Sequence, residues 1–507
     1  MTEDIAALEI LPANETPGLT HLENLTLDGY LSFLGGDPWI SAASKGMGPS
    51  KTEAENNAAL ADAVALLPNG GKLLLPPGKI PLSATITNVD NLTIESAGAG
   101  TTLHNTTAGV DALKLVNCDD LDIRGVRVQG TSGTRDGLHL ENCQRATVKV
   151  YCGGTGRAAI YAQRCFGIML DNCGVSVNSG PYPTGIANMQ AGLVLTWDGS
   201  DVTSGCNQFV INGGTYVIGQ TPQSSTSTPQ FTPGWAIQLI RCEGGEVNGP
   251  IAELSAGGIY GQYCENVNFN SYYGELNPSD IEYSTGTMSI TAGLTAVTGV
   301  GTDWDNVPTP PEVDNGFPGK YLVAPLTSAM AYAKIAALVS DTSLTLAATT
   351  ELMQAGWPAA TQSGVAYRLT AFDLFLDGCK GGSIGAGCRG GGAIALKGSY
   401  FVEINNPLCE SLLIDGGSYF TTISMVRTNR ASAGATSRIL DFGSRTIIGR
   451  QVNYPNVGDV LAPGLPIYTL ATRPSATLRA AQLIYVSDAA ANNKLQYSDG
   501  AAWVAAG

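Results

Sequence analysis

The 507-residue chain has few histidines and few basic residues. It contains 3 His, and 27 Lys and Arg stand against 43 Asp and Glu, so the formal net charge is −16. Such an acidic surface repels phosphate backbones, which excludes nucleic acid as the main partner. Three histidines also disfavour histidine-based catalysis or a histidine metal site, and scattered aspartates do not form a calcium loop. We therefore expect no metal and no other cofactor.

Long apolar runs are missing as well. No run reaches the roughly 18 residues of a membrane span, so we expect no membrane insertion. The first fourteen residues lack the basic start and the apolar core of a signal peptide. Only 14% of the residues are charged while 44% are hydrophobic, a balance that argues against intrinsic disorder. We therefore expect a folded chain with a sizeable apolar core.

The cysteines, by contrast, form a repeat. The steps from Cys118 to Cys143 and from Cys143 to Cys165 are 25 and 22 residues. Apolar residues recur three and five residues before and after these cysteines. Alternation with period two predicts short strands on both sides of a corner. The repeat, which we name the corner series, comprises Cys118, Cys143, Cys165, Cys206, Cys242, Cys264 and Cys379, and Ser399 continues it.

Turns of about 20–25 residues with this pattern predict a stacked coil. Each turn pairs with the turns above and below at about 4.8 Å, so that like residues lie on like residues. Cysteine suits the inward position as a small buried hydrophobe. A disulfide framework is the alternative, but eleven is an odd number, and free thiols suit folding in a reducing cytoplasm. The remaining cysteines, Cys152, Cys173, Cys388 and Cys409, lie 8–10 residues further on as a second series and are expected to form a second ladder.

A short helix is predicted before the first coil. Thr52 and Glu55 have the spacing of a capping box, and an apolar face follows them. The helix is expected to end at Pro68–Gly71, where a strand at Leu73–Leu75 begins. A helix in this place would cover the strand edges that the first coil leaves open.

The segment from Thr52 to Leu103 resembles the first segment of pectate-lyase-like, right-handed parallel β-helix proteins, among which are bacteriophage tailspikes. The resemblance covers about residues 48–450 in architecture. It implies an all-β fold, a right-handed parallel β-helix, and a homotrimeric spike that recognises, and often cleaves, bacterial surface polysaccharide. The motifs of the pectin-cleaving members are missing, so cleavage of homogalacturonan is not expected.

Five segments are expected along the chain. Three coils are overlong, and their extra residues start at a similar phase, which places them on one side of the rod, where repeat proteins often bind ligands. Residues 1–47 are interpreted as a particle-attachment segment, 48–279 as the first part of the β-helix, 280–371 as an inserted small β-sandwich-like domain, 372–453 as the last part of the β-helix, and 454–507 as a small C-terminal β-module.

Two glutamates are the candidate catalytic pair. Glu253 and Glu275 each lie 11 residues after a cysteine of the corner series, so adjacent coils would stack their carboxylates with Cβ atoms about 5 Å apart. Stacked like charges raise the pKa of one group, and a protonated acid beside a carboxylate suits a retaining glycosidase. Asp280 is the candidate third carboxylate, together with Glu282. The alternative is a solvated glutamate ladder without catalytic function.

Glu141 with Asp198 or Asp201 is a weaker alternative pair, about two coils apart and so nearer the inverting separation. Aromatic and amide side chains are the candidate sugar contacts, since aromatic rings bury a large area and tolerate a polar rim. The alternative for the aromatic residues is packing beneath the inserted lobe. The candidate substrate-binding residues are Trp197, Trp235, Tyr260, Tyr273, Gln238 and Gln262.

We therefore expect a virion-associated spike that binds capsule or O-antigen on the host surface. The competing hypothesis is a depolymerase, an endo-glycosidase or a lyase; a bacterial cell-surface β-helix enzyme is a third. The expected partners are the host polysaccharide, two further copies of the chain, and other virion proteins contacted through the N-terminal segment. The protein would fold in the host cytoplasm and act extracellularly on the particle.

Overall fold

Alternating apolar residues make most of this chain extended, and the extended segments stack on one another. The structure is a computed structural model. It describes residues 30–31, 38–96, 100–131, 134–153, 156–176, 191–197, 205–217, 232–253, 255–275, 285–290, 296–304, 321–325, 330–346, 361–370, 372–390, 392–409, 411–415, 417–428, 439–441, 446–448, 451–453, 467–468, 470–471, 473, 475–479, 483–486, 488–490 and 495–505.

Two long sheets form the rod, and the pairs between successive coils are parallel. The eleven-stranded sheet contains Ala84–Thr87, Leu113–Val116, Asp136–Glu141, Ala158–Gln163, Ala191–Thr196, Thr232–Ile240, Ser255–Gln262, Phe372–Asp377, Ala393–Lys397, Leu412–Ile414 and Ile439–Asp441. The nineteen-stranded sheet contains Tyr30–Leu31, Trp39–Ser41, Gly71–Leu75, Gly78–Pro81, Leu92–Ser96, Thr101–His104, Asp122–Gln129, Thr147–Gly153, Met169–Asp171, Gly174–Ser176, Val210–Asn212, Thr215–Val217, Glu246–Glu253, Asn268–Glu275, Ser383–Gly390, Glu403–Cys409, Thr422–Thr428, Ile447–Ile448 and Gln451–Asn453.

Two smaller sheets and three helices complete the described elements. The helices are the α-helix Glu53–Val64 and the 3-10 helices Ala42–Lys45 and Ala476–Arg479. The seven-stranded sheet, with antiparallel pairs, contains Thr287–Ile290, Ala296–Val300, Tyr321–Pro325, Met330–Ser340, Ser343–Leu346, Gln362–Val365 and Arg368–Thr370, and the four-stranded sheet contains Ile467–Tyr468, Leu483–Val486, Leu495–Ser498 and Trp503–Ala505.

The register stacks like on like, as the repeat predicts. Leu140 pairs with Leu115 on one side and with Ala162 on the other, and all three side chains are buried. One continuous apolar cluster runs from Ile40 to Val426 along the inside of the coils. This register confirms the all-β parallel β-helix fold. The described residues between Met288 and Leu369 contribute a separate core around Trp304, whose Nε1 donates to the Tyr367 hydroxyl at 2.9 Å.

The corner series lies in register. The residue after each of its members forms a parallel bridge to the corresponding residue of the next coil, from Asp119 to Tyr419. All eleven cysteines are buried and unbridged. Both parts of the cysteine prediction for this series, stacking and free thiols, are therefore confirmed.

A hydrogen bond explains why cysteine recurs at the corner. Cys143 Sγ lies 3.6 Å from the carbonyl oxygen of Leu115 in the preceding coil and 3.5 Å from that of Glu141. A thiol is small enough for the core and can still donate to such a carbonyl. Ser399 takes the same place, and its hydroxyl donates to the Leu376 carbonyl at 3.0 Å. The slot therefore selects a small side chain with one donor.

The second series is not a ladder, although its four cysteines are buried. Cys152 pairs with Val175 rather than with Cys173, and Cys388 pairs with Tyr272. The prediction of a second ladder is wrong because the strands pair at another offset: Cys152 and Cys173 lie 21 residues apart where the strands pair 23 apart, and a bulge brings Arg389 opposite Leu408, so that Cys388 and Cys409 are out of register. Burial raises the pKa of Cys173 to about 11 and that of Cys388 to about 12, so these thiols are not ionised at neutral pH.

Left-handed backbone makes the corner. The residue before the cysteine has a φ near +50° in most coils, a conformation in which asparagine and glycine are favoured. The early coils place Asn88, Asn117 and Asn142 there, and two late coils place Gly378 and Gly398 there. The middle coils place Arg164, Arg241 and Tyr263 there, so the asparagine-or-glycine signal is readable only in the coils towards the two ends of the series.

The predicted helix covers the first coil. Thr52 and Glu55 form the capping box, with the Thr52 N–H donating to the Glu55 carboxylate at 2.8 Å. Leu60 and Ala63 of the helix belong to the same apolar cluster as Leu73 of the first coil. Within the described residues, no helix has the length and apolar character needed to cross a membrane.

Close stacking makes Gly205 sensitive to substitution. A Cβ atom at Gly205 would overlap the carbonyl oxygen of Arg241 in the next coil, and a backbone atom cannot swing away. We expect Gly205→Ala to lower the free energy of unfolding by about 1–3 kcal/mol, the usual cost of overpacking, measured by urea denaturation. Gly48→Ala is the control, because a Cβ there meets nothing within 4 Å. Equal stability of the two variants would contradict this account of coil spacing.

Candidate functional site

The predicted glutamate pair is aligned in the backbone. Glu253 pairs with Glu275 between adjacent parallel strands, as the cysteine spacing predicts. Glu253 is half-buried, and Val217 is its partner on the other side. The side chain of Glu275, and Asp280 and Glu282 altogether, lie outside the described residues. The register is therefore confirmed, while the catalytic role stays a prediction; Asp198 and Asp201 of the weaker alternative also lie outside the described residues.

Three predicted sugar contacts are buried. Trp235, Tyr260 and Gln238 lie on the outer face of the eleven-stranded sheet, and their exposed fractions are 5%, 0% and 1%. The rings of Trp235 and Tyr260 lie 5.4 Å apart and belong to a second apolar cluster, which includes Val323 of the seven-stranded sheet. The expectation that these side chains face a sugar does not hold, because all three are buried, the two rings within an apolar cluster of the outer sheet face.

The other three predicted contacts are half-buried and lie apart. Tyr273 belongs to the nineteen-stranded sheet, where the Arg389 guanidinium lies 5.0 Å from its ring centre. Gln262 ends a strand of the eleven-stranded sheet. Trp197 follows another strand of that sheet, with the Arg241 guanidinium 4.4 Å from its ring centre. The structure does not gather the six predicted residues into one site.

A buried ionic cluster, absent from the sequence predictions, lies on the same sheet. His139 Nδ1 is 2.9 Å from an oxygen of Asp111, and the Arg135 Nε donates to Asp111 at 2.7 Å. The Arg157 Nε donates to Asp136 at 2.9 Å, and the Arg157 guanidinium lies 3.7 Å from the Tyr161 ring centre. Asp111, Asp136 and His139 are all buried.

Burial opposes ionisation in this cluster. At Asp111, hydrogen bonds from Arg135 and His139 outweigh burial and hold the pKa well below its ordinary value. At Asp136, burial wins and raises the pKa despite the Arg157 pair. The ligand atoms of Asp111, Asp136 and His139 lie within 4.8 Å of one another. Two guanidinium groups already neutralise both carboxylates, so this donor set does not fit a cation.

The cluster had a sequence signal. Aspartates lie seven residues before Cys118 and Cys143, and arginines lie eight residues before Cys143 and Cys165. Adjacent coils must stack such positions, so Asp111 and Asp136 meet the arginines. Because the charges balance within the cluster, we expect it to contribute to the stability of the fold.

In contrast to the buried outer face of the eleven-stranded sheet, the corner between the strands is exposed to solvent. We define the corner stripe as the line of bridged residues that follow the corner series, together with the residue that precedes each member of that series and the residue that follows each bridged residue. Eight steps at about 4.8 Å give it a length of about 38 Å. The bridged residues are Asp119, Gln144, Phe166, Asn207, Glu243, Glu265, Lys380, Tyr400 and Tyr419.

The corner stripe holds most of the exposed aromatic side chains. Of the five large aromatic side chains exposed among the described residues, four lie in it, Tyr151 being the exception. At one end, Tyr400 stacks on Tyr419 with ring centres 4.9 Å apart, and Phe401 stacks on Phe420 at 5.0 Å. The four exposed members are Phe166, Tyr263, Phe401 and Phe420.

The middle and the other end of the stripe are polar. Arg241 lies between the rings of Trp197 and Tyr263, which brings the predicted contact Trp197 next to the stripe. At the end nearest the N-terminal helix, a groove of about 350 Å³ is lined by Asn88, Asp90, Asn117, Asp119, Asn142 and Gln144. The stripe thus combines amides, carboxylates and aromatic edges on one solvent-facing line.

No protein-family model and no curated protein sequence matches this chain. Among solved structures, it is similar to an alginate lyase from Paenibacillus sp., with 12% identity, a TM-score of 0.35, and coverage of 82% of this chain and 99% of that chain. It is also similar to the A-module of a mannuronan C-5 epimerase from Azotobacter vinelandii, with 11% identity, a TM-score of 0.36, and coverage of 82% of this chain and 99% of that chain. A tailspike protein of bacteriophage CBA120 is similar with 8% identity, a TM-score of 0.30, and coverage of 92% of this chain and 69% of that chain. At such identities the likeness concerns the fold alone.

Proposed function

We propose that this protein binds a bacterial surface polysaccharide along the corner stripe and acts as a virion-associated spike in host attachment. The observation that supports binding is the gathering of four of the five described exposed aromatic side chains on one line. Pyranose rings present apolar C–H faces between hydroxyl edges, which suits aromatic side chains set among polar groups. A line that repeats at the coil spacing also suits a linear, repeating ligand.

The spike role adds assembly to binding. The protein would work as a homotrimer, with residues 1–47 attaching it to the particle and the stripe of each chain exposed to the host surface. These features rest on the resemblance to tailspikes. Cross-linking or light scattering of the full chain tests the trimer, and the mass of a monomer or dimer would contradict it.

Loss of the aromatic end should weaken glycan binding. We expect Phe401→Ala combined with Phe420→Ala to weaken binding of purified capsule or O-antigen about tenfold or more, because full burial of a phenylalanine side chain contributes on the order of 1.5–3 kcal/mol. Biolayer interferometry with the full-length protein measures the effect. Tyr151→Ala removes a comparably exposed aromatic ring outside the stripe and should change little. Equal binding by all three proteins would contradict the proposed surface.

A second candidate function is depolymerisation. The observation that favours it is the in-register pairing of Glu253 with Glu275, which stacks two acidic residues in adjacent coils. Counting new reducing ends after incubation with the bound polysaccharide separates a hydrolase from a pure adhesin. A lyase would instead produce an unsaturated sugar that absorbs ultraviolet light.

A further inference from the structure

The groove at the N-terminal end of the corner stripe is held open by an amide ladder. Asn117 Nδ2 donates to Asn88 Oδ1 at 3.2 Å, and Asn142 Nδ2 donates to Asn117 Oδ1 at 2.7 Å. Asp90 accepts from the backbone N–H of Asp119 at 3.1 Å. These bonds run between coils, so the stacking of the coils itself fixes the lining. We name this feature the polar groove.

The polar groove keeps hydrogen-bonding capacity of both kinds. The ladder uses both amide groups of Asn117 but only one of Asn88 and one of Asn142, so the Nδ2 of Asn88 and the Oδ1 of Asn142 remain at its two ends. Within the described residues, the side chain of Gln144 makes no hydrogen bond, and Asp90 uses only one carboxylate oxygen. A hydroxyl group both donates and accepts, so it can pair with every one of these groups.

The charge of the polar groove is one-sided. Asp90 and Asp119 are both in the lining, and none of the six lining residues is a cation. The nearby Arg145 is engaged elsewhere: its Nε lies 2.6 Å and its Nη2 2.8 Å from the carboxylate of Asp120, against 3.6 Å to Asp119. An anionic sugar placed here would meet two carboxylates and no unpaired guanidinium, a like-charge contact that costs binding energy.

We propose that the polar groove is the subsite of the corner stripe that takes neutral, hydroxyl-rich sugar residues, and that it rejects uronic and sialic acids. The inference rests on the proposed function, since it names the class of sugar that the stripe takes at this end. The volume of about 350 Å³ is at the lower end of the range for small-molecule sites, which leaves room for a short sugar segment.

The first test is an array of neutral and acidic bacterial oligosaccharides, probed with the full-length protein in buffer with and without a chelator. We expect all oligosaccharides that bind to share a segment of sugar residues, and we expect that shared segment to carry no charge. Binding that requires a uronate or sialate, or that disappears with the chelator, would overturn it, the latter because a cation would then be the ligand of the carboxylates. If no glycan binds, the proposed function fails and the subsite fails with it.

The second test uses variants against the glycan that binds. We expect Gln144→Ala and Asp90→Asn each to weaken binding at least about fivefold. The matched control is Gln129→Ala, an exposed glutamine outside the corner stripe, which should stay within about twofold. Unchanged binding by both groove variants, with loss in the Phe401 and Phe420 double variant, would discard the subsite and leave the proposed function standing. A circular dichroism melt confirms that each variant is folded.

Discussion

Replacing Asp136 by alanine is expected to lower the free energy of unfolding by about 3–5 kcal/mol, the usual cost of breaking a buried ion pair. The substitution leaves the guanidinium of Arg157 without its bidentate partner and removes one carboxylate that faces His139. The cost is electrostatic rather than steric, because alanine already occupies the equivalent position of the next two coils, at Ala158 and Ala191. Urea denaturation at neutral pH measures the change.

Two further variants distinguish loss of the ion pair from a general sensitivity of the fold to substitution. Asp136→Ala combined with Arg157→Ala removes both partners, so it should recover part of the loss, since no buried charge is then left unpaired. Asp171→Ala breaks the exposed pair with Lys149 and should change stability little. If the Asp136 single variant does not fold, the double variant still reports on the pair. A single variant as stable as the parent would contradict the buried ionic cluster.

Replacing either glutamate of the aligned pair should stop cleavage and spare binding. If the protein is a depolymerase, we expect Glu253→Gln and Glu275→Gln each to lower the rate of reducing-end formation about 10²- to 10⁴-fold, the usual share of a general acid or base. Glutamine keeps the size of the side chain but neither takes up nor releases a proton. Affinity for the intact polysaccharide should not change.

Glu246→Gln is the matched control for this experiment. Glu246 begins the strand that ends at Glu253 and is exposed, so its replacement changes charge on the same sheet without touching the pair. Unchanged turnover in both pair variants would discard the site. A parent protein that binds polysaccharide and releases no product of either kind would make it an adhesin.

The repeat in the sequence carries much of the fold. Spacing of the corner series predicted the coil length and the register, and through them the pairing of Glu253 with Glu275, which lie 22 residues apart. Each of these inferences needs only the next coil, because a coil contacts mainly its two neighbours. Local patterns suffice where contacts follow a fixed period.

The candidate surface was less predictable, because burial depends on segments remote in the sequence. Tyr260 alternates like an outward residue, yet it is fully buried within a cluster that includes Val323, and nothing near residue 260 signals that cover. The exposure of Phe401 and Phe420 follows from their place beside the corner, but their left-handed backbone hides them from a search for period-two alternation. The ionic cluster around His139 was missed because the low number of histidines argues against a functional histidine.

The interchangeable slot at the corner has an evolutionary consequence. Ser399 replaces cysteine without disturbing the neighbouring coils, and the bridges continue on both sides of it. Duplicating or deleting the gene segment for one whole turn would therefore lengthen or shorten the rod by about 4.8 Å while the pairing at the corner is kept. If the corner stripe binds a repeating glycan as proposed, a change in the number of turns would change the length of the binding surface without altering the residues of the remaining turns.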